Sequence, residues 1–140
     1  MIEVSYKSLG DALDRLRESL VLLDAHREDA LHVPMRNSVL LSFQCPYGLC
    51  RPMIERFLVS EGDDPQGVQE MSYATLVRSA NRRGVLRADW TTWSGFRDAR
   101  NRMAHVYSEP VAEEIVAKVP KFLEEATYLH AQLLARSAEQ

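Results

Sequence analysis

Between Asp89 and Tyr107 the chain reads DWTTWSGFRDARNRMAHVY. On a helix of 3.6 residues per turn, Trp93, Phe96, Arg100, Met103 and Tyr107 step by three and four and so share one face. All but one of these are apolar or aromatic, which predicts an amphipathic helix with Asp89 as its N-cap. Arg100 occupies a place in that stripe where a core residue would stand. An unpaired guanidinium in a dry core costs on the order of several kcal/mol, so the face is expected to open onto a cleft, a partner chain or an anion.

Around this arginine the neighbouring residues have chemistry of their own. Asn101 and His105 are four apart, on an adjacent stripe, where the amide is placed to orient the imidazole. Arg100 and His105 are five apart, which on a regular helix separates them by roughly 140°. They do not converge on one atom unless the helix unwinds before His105, or unless the site is composite and assembled across a two-fold dimer interface. The composite site is the preferred expectation. Gly95, inside the same helix, weakens it by up to about 1 kcal/mol but would permit close helix approach, as at such an interface.

Outward from this stretch the pattern stays helical. Leu9, Leu13, Leu16, Leu20 and Leu23 form a heptad-like stripe, on a first helix from about Ser5 or Ser8 into the Asp24 to Asp29 region. His26 and His32, near its end, are expected to be exposed or capping. Pro34 is placed to open a second helix, on which Leu40, Phe43, Tyr47, Cys50, Ile54 and Phe57 again step by three and four. Pro46, Gly48 and Pro52 interrupt that pattern. An interior proline costs about 3 kcal/mol, which predicts a kink, or a break near Cys45 and Arg51.

Beyond it, Glu61-Gly62-Asp63-Asp64-Pro65-Gln66-Gly67 reads as a polar connection and the one mobile linker. Ser72 and Gly84 bracket a short third helix with Leu76, Val77 and Ala80 facing inwards. After the motif, Ser108 is the expected N-cap of a last helix, with Pro110 in its first turn and Glu113 and Glu114 near its positive end. Ile115, Val119, Phe122, Ala126, Leu129 and Leu133 are its seam, Pro120 is expected to bend it, and His130 beside the seam is read as structural. The expected architecture is a single all-α domain over 1–140, an antiparallel four-helix bundle plus a short extra helix, forming a two-fold dimer.

Bulk properties narrow the class. A chain of 140 residues buries about two thirds of its unfolded surface, enough for a core without staples. No basic region followed by an apolar run opens the sequence, and no aliphatic run is long enough to span a bilayer, so a cytoplasmic location and no membrane partner are expected. Cys45 and Cys50 have no second pair at metal-ligand spacing, so they read as reduced thiols and no metal is expected. No glycine-rich phosphate loop follows a strand pattern, and no cofactor is implied. The formal net charge of −3 argues against a general nucleic-acid coat. Between Arg78 and Arg102, however, seven arginines stand against Asp89 and Asp98. Such a patch suits bidentate phosphate contact, or else pairs with the acidic remainder.

Arg100, Asn101, His105 and Tyr107 together resemble the Arg-x4-His-x-Tyr motif of the HEPN superfamily, closest to its HepT-like branch, also described as nucleotidyltransferase substrate-binding proteins. The similarity extends to Arg36 and Asn37, to the aromatic Phe43 and Tyr47, to Arg56-Phe57-Leu58, to Leu76-Val77-Arg78 through Gly84, and to Trp93. Gln44, Pro46 and Gly48 depart from it, where relatives favour acidic, helix-forming residues. The resemblance implies a toxin acting as a metal-independent endoribonuclease on RNA, with an MNT-type nucleotidyltransferase as antitoxin that adenylylates Tyr107.

The residues fit that chemistry. His105, with an unperturbed pKa near 6.5, can move the proton of a ribose 2′-hydroxyl. Arg100 can stabilise charge on the phosphate, and Arg97 or Arg102 can hold neighbouring nucleotides. Adenylylation of Tyr107 would place negative charge beside Arg100, in competition with RNA. Two alternatives stand beside this: a noncatalytic subunit that presents a substrate or nucleotide to a nucleotidyltransferase, and a helical dimer whose Arg100 pairs with an acid across the interface.

Overall fold

A computed structural model describes residues 2–105 and 108–138, with side chains from residue 6 to residue 137 apart from residues 106 and 107. Six α-helices follow one another among the described residues, and no strand occurs there. The long ones are α1 (Ile2–Ala25), α2 (His32–Ser60) and α6 (Glu109–Ala138); α3 (Pro65–Gln69), α4 (Tyr73–Arg82) and α5 (Trp90–Asn101) are short. α1 packs along α2 and α6, while α5 packs on α6 and α4 bridges from α2 to α5. The chain is an all-α bundle, built from α1, α2, α5 and α6 with two short helices in the α2–α5 connection.

The three-and-four stripes are the seams of this bundle. Leu9, Leu13, Leu16 and Leu23 of α1 are buried, and Leu20 packs half-buried beside them. Every seam residue expected on α6, from Ile115 to Leu133, is buried. Each such side chain contributes about 1.5–3 kcal/mol of transfer free energy. That sum bears on α2, for which a kink or a break was expected.

α2 starts at His32, with Pro34 in its first turn, and runs unbroken through Pro46 and Pro52 to Ser60. The break expected near Cys45 and Arg51 is absent. Nine apolar residues of this helix, from Val39 to Leu58 and including Pro46 itself, are buried against the rest of the bundle, which outweighs two lost backbone hydrogen bonds at about 3 kcal/mol each. Pro120 likewise sits inside an unbroken α6.

The polar connection after α2 is shorter than expected. Gly62, at φ +106°, makes the turn, but Asp64 accepts a hydrogen bond from Gly67 N at 2.9 Å and begins α3 with Pro65 in its first turn. Pro65, Gln66 and Gly67 are therefore helical, because an Asp-Pro pair is an N-cap followed by a residue with its φ already set. Ser72 caps α4 through Thr75 N at 3.1 Å, and Asp89 caps α5 through Thr92 N at 3.2 Å, both as expected. Gly84, at φ +80°, closes α4, and α6 secures that end: Tyr128 Oη donates to Gly84 O at 3.0 Å and Arg136 Nη2 to Arg83 O at 2.9 Å.

Candidate functional site

α5 and α2 meet on one aromatic side chain of α6. Phe122 lies edge-on to Phe43 at 5.0 Å, to Phe96 at 5.4 Å and to Trp93 at 6.2 Å, with Tyr47 at 6.1 Å. Trp93, Phe96 and Phe122 are fully buried and form the floor on which α5 rests. The expected apolar face of α5 is thus real, and Arg100 is where it ends: Met103 is half-buried and Arg100 is exposed. The guanidinium has escaped the desolvation that the stripe would have imposed, because the face opens to solvent one turn beyond Phe96.

Of the seven arginines of the patch, Arg82 donates to Ser79 Oγ at 3.2 Å, Arg78 is exposed with no carboxylate partner among the described residues, and the other five fall into two sets. Arg83 binds Asp63 Oδ1 at 2.6 Å, Arg87 binds Glu125 Oε1 at 3.1 Å and Arg102 binds Glu114 Oε2 at 2.5 Å. These are committed within the chain. Among the described residues neither Arg97 nor Arg100 has a carboxylate partner, and both are exposed. An unpaired guanidinium pair one turn apart is a site for an anion. Arg102, by contrast, must leave Glu114 before it can hold a nucleotide.

After Asn101 the helix tightens, and Arg102–His105 form a 3₁₀ turn. The chain therefore does unwind from α-helix before His105. Four steps at about 120° replace four at about 100°, so His105 moves from roughly 140° on one side of Arg100 to roughly 140° on the other. The tightening by itself does not bring the two together. It also rotates Asn101, which is exposed, off the stripe shared with His105. His105 is exposed, and its carbonyl accepts from Ser108 N at 3.2 Å where α6 begins. Tyr107 lies outside the described residues, as does Val106.

Two groups escaped the sequence-based expectations. His32 is neither an exposed nor a capping residue: its Nε2 meets Glu113 Oε2 at 3.2 Å, across from α2 to α6. Beside it Arg36, only 3% exposed, binds Glu109 and Glu113. The second group is a pair of phenols. Tyr47, half-buried on α2, lies next to Tyr73 of α4, and burial pushes both phenols up. Arg97 and Arg100 act on Tyr47 in the opposite sense to burial, which places its hydroxyl in their field. In the sequence Tyr47 stood out only as an aromatic step along α2 and as one of the residues of the family resemblance, with no role attached.

Cys45 is an exposed thiol and Cys50 a buried one, pushed up by burial and donating to Pro46 O at 3.3 Å. Among the described residues no group of His, Cys, Asp and Glu could hold a metal ion, and no helix is long and apolar enough to cross a membrane. Among the described residues a Cβ at Gly95 would meet nothing within 4 Å, so no described helix uses the close approach that glycine permits there.

The family model described as nucleotidyltransferase substrate binding protein like matches residues 4–135. The probable ribonuclease HepT of Haemophilus influenzae is similar, at 28% identity over 95 residues, which is 68% of this chain and 64% of that protein. The match thus spans less than two thirds of the relative's length. A solved structure of HI0074 from the same organism, described as revealing the fold of a substrate binding domain of a nucleotidyltransferase, superimposes with a TM-score of 0.83 at 23% identity, covering 91% of this chain and 98% of that one. That likeness is one of fold.

Proposed function

The chain belongs to the nucleotidyltransferase substrate binding protein like family, and on that premise we propose that it is a HepT-like toxin, a metal-independent endoribonuclease whose partner is an MNT-type nucleotidyltransferase antitoxin. The observation that carries this is the exposure of Arg97 and Arg100 without carboxylate partners among the described residues, one short turn before an exposed His105. In this reading Arg100 stabilises charge on the scissile phosphate, and His105 moves the proton of the ribose 2′-hydroxyl or of the leaving 5′ oxygen. Arg97, with Arg102 once released from Glu114, holds flanking nucleotides, while Asn101, set off the His105 stripe by the 3₁₀ turn, does not orient the imidazole of its own chain.

Because Arg100 and His105 diverge around their own helix, the site is composite: a two-fold dimer supplies one imidazole as base and the other as acid. α2 offers a face for such a dimer. Leu41, Cys45, Gly48 and Pro52 step by four, three and four along it, exposed and uncharged, and a Cβ at Gly48 would meet nothing within 4 Å. Tyr107 is the acceptor of adenylyl groups, whose phosphates would then occupy the Arg97–Arg100 site and exclude RNA.

The second reading rests on the family description itself. A noncatalytic subunit would use the same arginines to hold a nucleotide or substrate for a nucleotidyltransferase. Cleavage of total and transfer RNA in EDTA by the unmodified protein, wild type beside His105→Ala, separates them. The nuclease reading expects cleavage lost in the variant; unmodified wild type that cleaves nothing would favour the binding subunit.

A further inference from the structure

The motif turn is fastened at both of its ends. Arg102, which opens the 3₁₀ turn, meets Glu114 of α6 at 2.5 Å, and Met103 packs half-buried against the core. At the far end the His105 carbonyl accepts from Ser108 N at 3.2 Å, and Ser108 O accepts from Ala112 N at 3.0 Å in the first turn of α6. The next residue, Glu109, is clasped by the Arg36 guanidinium of α2. Glu113, one turn on, accepts from Arg36 Nη1 at 3.2 Å and meets His32 Nε2 at 3.2 Å. The His105 carbonyl is thus one hydrogen bond and one residue away from a contact that ties α6 to α2.

Stability alone does not account for an arginine in this place. Arg36 is 3% exposed, whereas Glu109 and Glu113 are 66% and 44% exposed, so the guanidinium has left water and its partners have not. Among the described residues Arg36 Nε and His32 Nδ1 are buried without a hydrogen-bond partner. An apolar side chain of similar volume avoids both penalties, and such replacements of buried ion pairs are often neutral or stabilising. What it cannot do is direct a carboxylate: the planar fork of Arg36 holds Glu109 at two points and so fixes its orientation. We propose that Arg36 is a positioning residue of the ribonuclease site, acting through Glu109 to hold the His105 backbone, and with it the imidazole, in register with the scissile phosphate. This rests on the nuclease reading above. Arg97 and Arg100 stand on α5, whose aromatic packing on Phe122 does not involve the clasp, so RNA cleavage should respond to Arg36 while RNA binding does not.

The test compares Arg36→Met with wild type in three readouts. These are single-turnover cleavage of transfer RNA in EDTA, affinity for a 2′-O-methyl oligoribonucleotide that lacks the nucleophile, and the His105 imidazole signals by NMR, assigned with His105→Ala. Cleavage should fall on the order of a hundredfold, the effect of about 1 Å of misplacement at a reacting group. Affinity should stay within about twofold. The His105 signals should move while those of His130, packed against Gly10 further along α6, do not. Glu109→Gln, which changes the exposed side of the clasp, carries the same three expectations if the buried variant does not fold. A loss of cleavage under about tenfold, a loss of affinity that matches the loss of cleavage, or unmoved His105 signals overturns the proposal. If the wild type cleaves nothing, the nuclease reading fails by itself, and the His105 signals alone decide whether Arg36 positions the imidazole.

Discussion

The guanidinium of Arg36 is clasped by the carboxylate of Glu109: Nη1 donates to Oε2, and Nη2 donates to Oε1 at 3.2 Å. Arg36 is on the second turn of α2 and Glu109 is the first residue of α6, immediately after the segment that carries the motif. Glu113, one turn on, joins through Nη1 at 3.2 Å, and His32 meets the same Glu113 oxygen. This clasp fixes where α6 starts, and thereby where the chain leaving His105 must go.

Acid should open it. The hydrogen bond from Arg36 holds the Glu109 carboxyl below its ordinary range. Burial opposes this at Glu113, but hydrogen bonds from His32 and Arg36 outweigh it, and that carboxyl is lowered too. A carboxyl lowered in the folded state contributes stability that is complete above its unfolded value, about 4.3, and is lost as pH falls through the folded value. The thermal midpoint of Glu109→Gln should therefore lie below wild type at pH 7 and approach it below about pH 4. Parallel curves for the two proteins down to acid pH would refute the clasp.

Arg97 and Arg100 should be dispensable for folding. Neither has a carboxylate partner among the described residues, so each alanine variant should stay within about 0.5 kcal/mol of wild type by urea unfolding. Arg102→Ala, which loses the Glu114 pair at a partly exposed site, should cost about 0.2–1 kcal/mol. A large loss of stability in Arg100→Ala would return that residue to a structural role.

Phe122 should be the most sensitive position in the bundle. Among the described residues it alone touches aromatic rings of both α2 and α5. Phe122→Ala should lower the unfolding free energy by about 3–5 kcal/mol and also weaken RNA binding, since α5, which carries Arg97 and Arg100, rests on it. Full RNA affinity in a folded Phe122→Ala protein would show that the floor does not position the site.

Gly10 is expected to reverse the usual rule for a helix interior. Alanine there would gain up to about 1 kcal/mol of helix propensity, but its Cβ would stand 2.7 Å from His130 Cε1. Overpacking of that kind costs about 1–3 kcal/mol, so Gly10→Ala should be destabilising, and should become stabilising when His130→Ala removes the ring. Equal effects in both backgrounds would exclude the contact.

Periodicity and capping determined most of the fold by themselves. The stripes of α1, α2 and α6, the caps at Ser72 and Asp89 and the stop at Gly84 are readable because each depends on residues within a turn or two of one another. The motif stretch was likewise legible as an apolar helical face interrupted by Arg100. What the sequence could not decide depends on partners far along the chain. Arg87 is committed to Glu125, Arg102 to Glu114 and Arg36 to Glu109, so which arginines stay free follows from packing, not composition. Burial across the bundle, and not local propensity, carried α2 through Pro46 and Pro52. The same packing set Tyr47 of α2 beside Tyr73 of α4, a neighbourhood that no spacing rule connects because its members come from different helices.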